Sequence, residues 1–180
     1  MIQTKLQGVF LLVLTIALTL SCSKDDDIVY SNTVTVDGGN LIELKGAATE
    51  DILITNQEDF TYRYEHYIEI FGGNIEYINL SEGYNGTGFL MAAFLNTQSD
   101  YLAEGTYSFE SGTAPFTFSD AGYWTAFNPD AENIPDPIFI QSGTITITRS
   151  GEDSISFNLK DVNGKVIQGK YDLFIRGLYR

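Results

Sequence analysis

The stretch FTYRYEHYIEI, residues 60–70, alternates apolar and polar side chains along its whole length. One parity carries Phe60, Tyr62, Tyr64, His66, Ile68 and Ile70, and the other carries Thr61, Arg63, Glu65, Tyr67 and Glu69. A period of two residues is typical of a β-strand that buries one of its faces. The stretch therefore predicts a long, half-buried strand that ends at a turn formed by residues 72–74.

The same period recurs in the rest of the chain. Residues 144–148 alternate threonine with isoleucine, and turns at residues 150–153 and 161–164 separate two further alternating segments, which predicts a three-stranded antiparallel meander. Other strands are predicted over residues 33–36, 41–45, 51–55, 75–80, 87–96, 106–109 and 121–127. No window of about a dozen residues carries an apolar stripe at helical spacing. About ten short strands with frequent turns indicate one all-β domain, either an antiparallel sandwich or a barrel.

Composition excludes several classes of function. The 180 residues include 10 Lys and Arg against 24 Asp and Glu, which gives a formal net charge of −14. Nucleic-acid binding needs a basic surface that releases counterions from phosphates, so no nucleic-acid partner is expected. The chain has one Cys and one His, which excludes an internal disulfide framework and a zinc site built from several such ligands.

The N-terminal residues have the features of a secretory signal peptide. Lys5 supplies a positive charge, and residues 6–20 are uncharged and mostly apolar. This apolar segment is shorter than the roughly 20 residues of a membrane-spanning helix. It ends at Leu20-Ser21-Cys22, which contains the only cysteine of the chain.

Leu20-Ser21-Cys22 resembles a bacterial lipobox, in which a small residue precedes the cysteine that is lipidated and becomes the new N-terminus. The cysteine is followed by Ser23, Lys24, Asp25, Asp26 and Asp27. This charged cluster resembles the surface-export signal of Bacteroidota lipoproteins. The resemblance implies a signal peptide over residues 1–21, a lipidated Cys22 with an acidic tether over residues 22–31, and an all-β domain over residues 32–180. It also implies an outer-membrane protein that is held by its lipid and faces the medium.

The domain itself resembles a group of small Bacteroidota lipoproteins. The shared patterns are turn and strand segments at residues 102–107 (LAEGTY), 142–147 (SGTITI) and 161–165 (DVNGK), within a similarity that spans about residues 85–175. Members of this group resemble either sandwiches or calycin-type barrels. The resemblance therefore implies the fold class, leaves the topology open and implies no catalytic residues.

The residues that acid–base or nucleophilic chemistry uses are sparse. His66, the only histidine, lies on the apolar parity of the predicted strand, which favours a packed, hydrogen-bonded imidazole over a general base. The Gly-x-Ser-x-Gly pattern of a nucleophile elbow does not occur in the sequence. Glu65 and Glu69 on one strand are about 13 Å apart, which is wider than the spacing of a glycosidase pair. We therefore expect no enzymatic activity, no catalytic residues and no cofactor.

One predicted strand and the loop after it carry the strongest candidates for ligand binding. Tyr123 and Trp124, the only tryptophan, lie before a polar loop at residues 128–137 that holds Asn128 and Asp130. Aromatic rings beside Asn and Asp side chains are typical of sugar-binding sites, so these four residues are the predicted ligand-binding candidates. Because consecutive strand residues face opposite sides, either Tyr123 or Trp124 is expected to face outward. The loop lacks the spacing and the turn glycine of an EF-hand, and no metal site is predicted.

A modification site is predicted at Ser154. The tripeptide Asp153-Ser154-Ile155 matches the Asp-Ser/Thr-aliphatic pattern of O-glycosylation in secreted Bacteroidota proteins. An O-linked glycan on Ser154 would be consistent with export of the chain.

Together, these features predict a non-enzymatic binding module that is anchored by lipid at the cell surface and binds a glycan, a peptide or a partner protein of the envelope. A first alternative is a calycin-like carrier that holds a small apolar ligand inside a barrel, which the many Phe and Tyr on inward parities favour. A second alternative is an accessory subunit of an outer-membrane complex, which requires an exposed apolar patch larger than that of ordinary monomers.

Overall fold

A computed structural model describes residues 31–55, 62–79, 81–149, 153–172 and 176–177. The predicted signal peptide, Cys22 and the Lys24–Asp27 cluster lie outside these residues. The described part of the chain forms thirteen strands: β1 (Thr33–Val36), β2 (Ile42–Thr55), β3 (Tyr62–Gly73), β4 (Glu76–Asn79), β5 (Gly83–Asn85), β6 (Gly88–Thr97), β7 (Gly105–Phe109), β8 (Thr117–Phe118), β9 (Ala121–Phe127), β10 (Ile138–Thr148), β11 (Ser154–Asp161), β12 (Val166–Asp172) and β13 (Arg176–Gly177). Within the same ranges, no helix is long and apolar enough to cross a membrane.

The strands close into a barrel. Nine of them follow one another in the hydrogen-bonded order β1-β12-β11-β10-β7-β8-β6-β3-β2, and β1 also pairs with β2, which closes the ring. Neighbours in the ring are antiparallel except β7 and β8, which are parallel. β9 bridges β6 and β10, and β13 adds to β2 in parallel. Of the two predicted architectures, the chain adopts the closed barrel and not the sandwich, which is consistent with the calycin-like prediction.

β2 is longer than the sequence pattern predicts. The strands predicted over residues 41–45 and 51–55 belong to one strand of 14 residues. Its register against β3 shifts between Leu44 and Gly46. The ring of Phe71 lies over Gly46, where a Cβ atom would be 2.3 Å from the ring Cζ. Gly46 and the alanines that follow it therefore interrupt the apolar alternation but not the strand.

The barrel interior is packed with apolar side chains of alternate parity. His66, Ile68 and Ile70 of β3 are completely buried, as the predicted alternation requires. The large side chains that are fully buried in this core are Phe89, Met91, Leu95, Tyr107, Phe118, Tyr123, Ile145, Ile147 and Ile155. Burial of this apolar surface is the main source of stability of the fold.

A second, smaller apolar cluster lies on the outside of the barrel wall. Phe71 and Leu90 have the opposite parity to the inward residues of β3 and β6, and they pack with Ile75. The β4–β5 hairpin, which pairs with none of the other described strands, contributes Tyr77 and Tyr84 to this cluster. The hairpin therefore covers apolar side chains that the barrel itself leaves on its outer face.

Gly143 is a position where the fold requires glycine, and its replacement tests the strand register. Gly143 follows the register shift between Ile140 and Ser142, has a φ of +123°, and a Cβ there would lie 2.3 Å from the carbonyl oxygen of Asn158. We expect Gly143→Ala to lower the free energy of unfolding by about 1–3 kcal/mol, measured by urea denaturation.

Gly112 provides the matched control for this variant. Its φ is +128°, but no atom lies within 4 Å of the position of a Cβ. Gly112→Ala therefore introduces the backbone strain without a close contact like that with the carbonyl oxygen of Asn158. It should lower the free energy of unfolding by less than Gly143→Ala does. Equal losses for the two variants would show that the close approach of β10 and β11 contributes nothing.

Candidate functional site

A groove crosses the outer wall of the barrel where β3, β6, β9 and β10 lie side by side. Its floor is formed by Ala92 on β6, which pairs with Gly122 on β9. Both residues are small, so larger neighbours stand above them on either side. The groove has a volume of about 410 Å³ and is lined by Glu50, Ile52, Tyr67, Ala92, Phe94, Asp120, Ala121, Gly122, Trp124, Pro137 and Phe139.

Aromatic side chains form the walls of the groove. Tyr67 on β3 pairs with Phe94 on β6, and their ring centroids are 4.9 Å apart. On the other side of the floor, Phe139 on β10 pairs with Gly122 and leaves 56% of its surface exposed. Four rings, those of Tyr67, Phe94, Trp124 and Phe139, therefore surround a floor that has almost no side chain.

The indole of Trp124 is fixed by its neighbours. Its Nε1–H donates a hydrogen bond of 2.7 Å to the carbonyl oxygen of Pro135. The ring packs edge to face against Phe127 at a centroid distance of 5.4 Å. Pro137 lies against Gly122, where a Cβ would be 2.8 Å from the proline Cβ, so glycine at this position lets the loop approach the floor. The proline-containing loop therefore holds one wall of the groove in place.

A half-buried carboxylate, that of Glu69, holds the opposite wall. Tyr67 donates a hydrogen bond of 2.6 Å to Oε1 of Glu69, and Tyr84 donates one to Oε2 of the same residue. Burial, together with the hydrogen bond to Glu69 and its negative charge, raises the pKa of Tyr67 far above the ordinary value, and the same causes raise the pKa of Tyr84. Both hydroxyls therefore stay protonated, and the Tyr67 hydroxyl uses its proton in the hydrogen bond to Glu69.

The four predicted ligand-binding residues are not brought together. Trp124 lines the groove, but Tyr123 is completely buried and donates a hydrogen bond of 2.9 Å to Oδ2 of Asp161. Consecutive residues of a strand point to opposite faces, so Trp124 on the outer wall places Tyr123 inside the barrel. Asn128 accepts a hydrogen bond of 3.0 Å from the backbone N–H of Asp130 and so caps its own turn, and Asp130 is exposed outside the groove lining. Ligand contact by Trp124 stays a prediction, whereas Tyr123 is corrected to a core residue.

Two other predicted residues are buried. Ser154 begins β11, pairs with Asp172 and is 8% exposed, which leaves its hydroxyl little surface for a glycan in the folded chain. His66 is completely buried, and its Nε2 lies 3.2 Å from the carbonyl oxygen of Ser99. The imidazole is therefore a packed, hydrogen-bonded group.

Metal-binding groups do not gather in the part of the chain that the structure describes. Among those residues, no three His, Cys, Asp or Glu side chains lie close enough together to hold a metal ion. The chemical groups that the groove offers are aromatic rings and carboxylates.

A second concave surface lies on the outer faces of β10, β11 and β12. It has a volume of about 370 Å³, and most of its lining is polar: Thr144, Thr146, Ser156, Asn158, Gln168 and Lys170. These side chains form rows across the sheet because Thr144 pairs with Asn158 and Asn158 pairs with Gln168. Phe157, which is buried in the barrel core, is the only aromatic residue of its described lining, so this surface does not have aromatic walls like those of the first groove.

Comparison with known proteins does not place this chain in a family. No protein-family model matches the chain, and no curated protein or solved structure is significantly similar to it.

Proposed function

We propose that this protein is a non-enzymatic binding module, anchored by lipid at the cell surface, that takes its ligand in the aromatic groove on the outer barrel wall. The observation that carries the proposal is the groove itself, with about 410 Å³ of volume and four aromatic side chains around a floor of Ala92 and Gly122. Its volume lies in the range of ligand sites, which are concave and mostly apolar with a few polar groups.

The location in this proposal rests on the N-terminal sequence. Cys22 is the only cysteine and lies where the apolar segment ends, and the acidic cluster follows it directly. Several acyl chains at about 0.8 kcal/mol per buried CH₂ hold such a protein in the outer membrane. A net charge of −14 suits a protein that faces the medium and does not adhere to its neighbours without specific contacts.

The groove chemistry supports binding over catalysis. The described lining residues include the carboxylates of Glu50 and Asp120 but no His, Cys, Ser or Lys. General acid–base catalysis needs a group placed to move a proton at the reacting atom. The imidazole of His66, which is the only one in the chain, faces the barrel interior and contacts a backbone carbonyl.

Packing inside the barrel supports the outer groove over the carrier alternative. A carrier needs open space within the barrel, whereas the described interior holds the large, fully buried side chains of Phe89 and Phe118 together with Tyr107 and Tyr123. The Tyr107 hydroxyl donates a hydrogen bond of 2.9 Å to the carbonyl oxygen of Ala103, and burial raises its pKa to about 12. We therefore propose that the ligand binds in the outer groove and not inside the barrel.

Filling the groove from its floor tests the proposal. Ala92→Leu adds a branched side chain between the aromatic walls and is expected to weaken ligand binding at least about tenfold while the thermal unfolding midpoint stays close to that of the wild type. Trp124 is the only tryptophan, so its fluorescence reports the groove directly. The probes are maltohexaose and the tripeptides Ac-Phe-X-Phe-NH₂ with Arg, Gln or Glu as X.

Ala126→Leu is the matched control. Ala126 is exposed on the same strand as Trp124 but does not line the groove. This variant should bind like the wild type. The proposal fails if no probe gives a saturable change in Trp124 fluorescence, or if Ala92→Leu binds as tightly as Ala126→Leu.

A further inference from the structure

We infer that the ligand of the aromatic groove is a peptide segment of a partner protein that presents an arginine or lysine between apolar residues. The inference rests on the proposed function, because it names the ligand class of the same groove. It follows from the acidic charge of the lining and from its aromatic walls. It also follows from the Trp124 indole N–H and the Tyr67 hydroxyl, which already form hydrogen bonds within the protein.

The charge of the groove selects a cation. Its described charged lining residues are both acidic, Glu50 and Asp120. Asp120 is exposed, and its backbone carbonyl accepts a hydrogen bond of 3.0 Å from the N–H of Phe94, which fixes it beside the aromatic wall. The whole chain adds a net charge of −14. An anionic ligand would be repelled at this surface, and a cation would be attracted to it.

The aromatic walls of the groove also favour a cationic ligand. A cation over the face of an aromatic ring is attracted by the ring quadrupole, most strongly by tryptophan, and arginine also stacks flat on such rings. Tyr67, Phe94, Trp124 and Phe139 offer four rings around one space. Trp124 is held by Pro135 and Tyr67 by Glu69, so these two rings are already ordered before a ligand arrives.

A glycan is less well served by these residues. Sugar hydroxyls need several donors and acceptors, but the indole N–H of Trp124 is bonded to a carbonyl and the Tyr67 hydroxyl to a carboxylate. The exposed face of Phe139 favours a peptide over a small amine as the ligand. Phe139 leaves 56% of its surface bare, which the apolar neighbour of a basic residue would cover and a lone cation would not.

Peptides that differ in charge test the inference. Trp124 fluorescence is titrated in the full chain with Ac-Phe-Arg-Phe-NH₂, Ac-Phe-Gln-Phe-NH₂ and Ac-Phe-Glu-Phe-NH₂, and with argininamide and maltohexaose. We expect the arginine tripeptide to bind about tenfold more tightly than the glutamine tripeptide, and the glutamate tripeptide and argininamide to bind more weakly still. Added salt should reduce the advantage of arginine.

Asp120→Asn should remove most of that advantage. Asp130→Asn is the matched control, because Asp130 is also exposed but does not line the groove, so the same change of charge there should leave the arginine tripeptide bound as before. Equal thermal unfolding midpoints for the two variants show that each is folded.

Each contrary outcome points to a different failure. If the three tripeptides bind equally, or if Asp120→Asn and Asp130→Asn behave alike, the cation is not the selected group, although the groove remains a binding site. If argininamide binds as tightly as the arginine tripeptide, the ligand is not a peptide. If maltohexaose binds most tightly, the ligand is a glycan. If no probe changes Trp124 fluorescence, the proposed function fails together with this inference.

Discussion

Replacement of Asp161 with alanine is expected to lower the free energy of unfolding by about 3–5 kcal/mol. Asp161 is completely buried at the end of β11. Its Oδ2 accepts a hydrogen bond of 2.9 Å from the hydroxyl of Tyr123. Its Oδ1 accepts hydrogen bonds of 2.8 Å each from the backbone N–H groups of Asn163 and Lys165. Alanine would leave these three donors without their acceptor, and it would release the turn between β11 and β12. Urea denaturation of the variant and the wild type measures the loss.

The same carboxylate makes stability depend on pH. Burial opposes ionisation of Asp161, but the hydrogen bonds from Lys165, Tyr123 and Asn163 outweigh it and lower the pKa below its ordinary value of 3.8. A carboxyl whose pKa is lower in the folded chain stabilises the fold above the pKa of the unfolded chain, and this contribution is lost as the pH falls through the folded pKa. The free energy of unfolding should therefore fall below about pH 4. The fall should be shallower in Asp161→Asn, and part of it should persist because hydrogen bonds from Lys170 and Ser31 also lower the pKa of Asp172.

Tyr123→Phe is the control that separates the two halves of this arrangement. It removes one donor and leaves the carboxylate bonded to both backbone N–H groups, so it should cost only about 1–2 kcal/mol. A loss for Asp161→Ala no greater than that for Tyr123→Phe would contradict the role assigned to the turn.

Replacement of Cys22 with serine is expected to abolish lipid attachment completely. A serine hydroxyl in place of the only thiol of the chain removes the atom that the proposed lipid is bonded to. Metabolic labelling with radioactive palmitate should mark the wild-type chain and leave Cys22→Ser unmarked, and the variant should leave the membrane fraction.

The charged cluster after Cys22 supplies the matched variant. Replacing Lys24 and Asp25 to Asp27 with alanine should keep the lipid label and the membrane fraction but reduce digestion of the chain by protease added to intact cells. Cys22→Ser protein that still labels with palmitate, or that still sediments with membranes, would refute the proposed anchor.

Most strands were predictable from sequence because each depends on local alternation, whereas the short strands β5 and β8 were not predicted. The parity of β3 placed His66, Ile68 and Ile70 inward, as the structure has them. The choice between sandwich and barrel was not predictable, because it depends on β1 pairing with both β12 and β2 over long stretches of chain. Gly46 explains the missed continuity of β2, since its small size breaks the apolar pattern while the backbone continues to pair with β3.

The candidate site was predictable only in part. Alternation required Tyr123 and Trp124 to face opposite sides, but the sequence does not show that Asp161 would draw Tyr123 inward. The groove floor depends on Ala92 meeting Gly122 across two strands, and no local pattern marks such a pair. Asn128 and Asp130 follow Trp124 closely in sequence, but the turn that Asn128 caps carries Asp130 away from the groove lining.

Chemical-shift mapping by NMR tests most directly whether ligand binds on the outer wall. The full, isotope-labelled chain is titrated in detergent micelles with Ac-Phe-Arg-Phe-NH₂. Binding in the groove should shift the indole N–H of Trp124 and the backbone amides around Ala92 and Phe139, which line it, and leave the core amides of Tyr107 and Ile145 unmoved. Shifts concentrated at Tyr107 and Ile145 with an unmoved Trp124 would place the ligand inside the barrel and contradict binding in the aromatic groove.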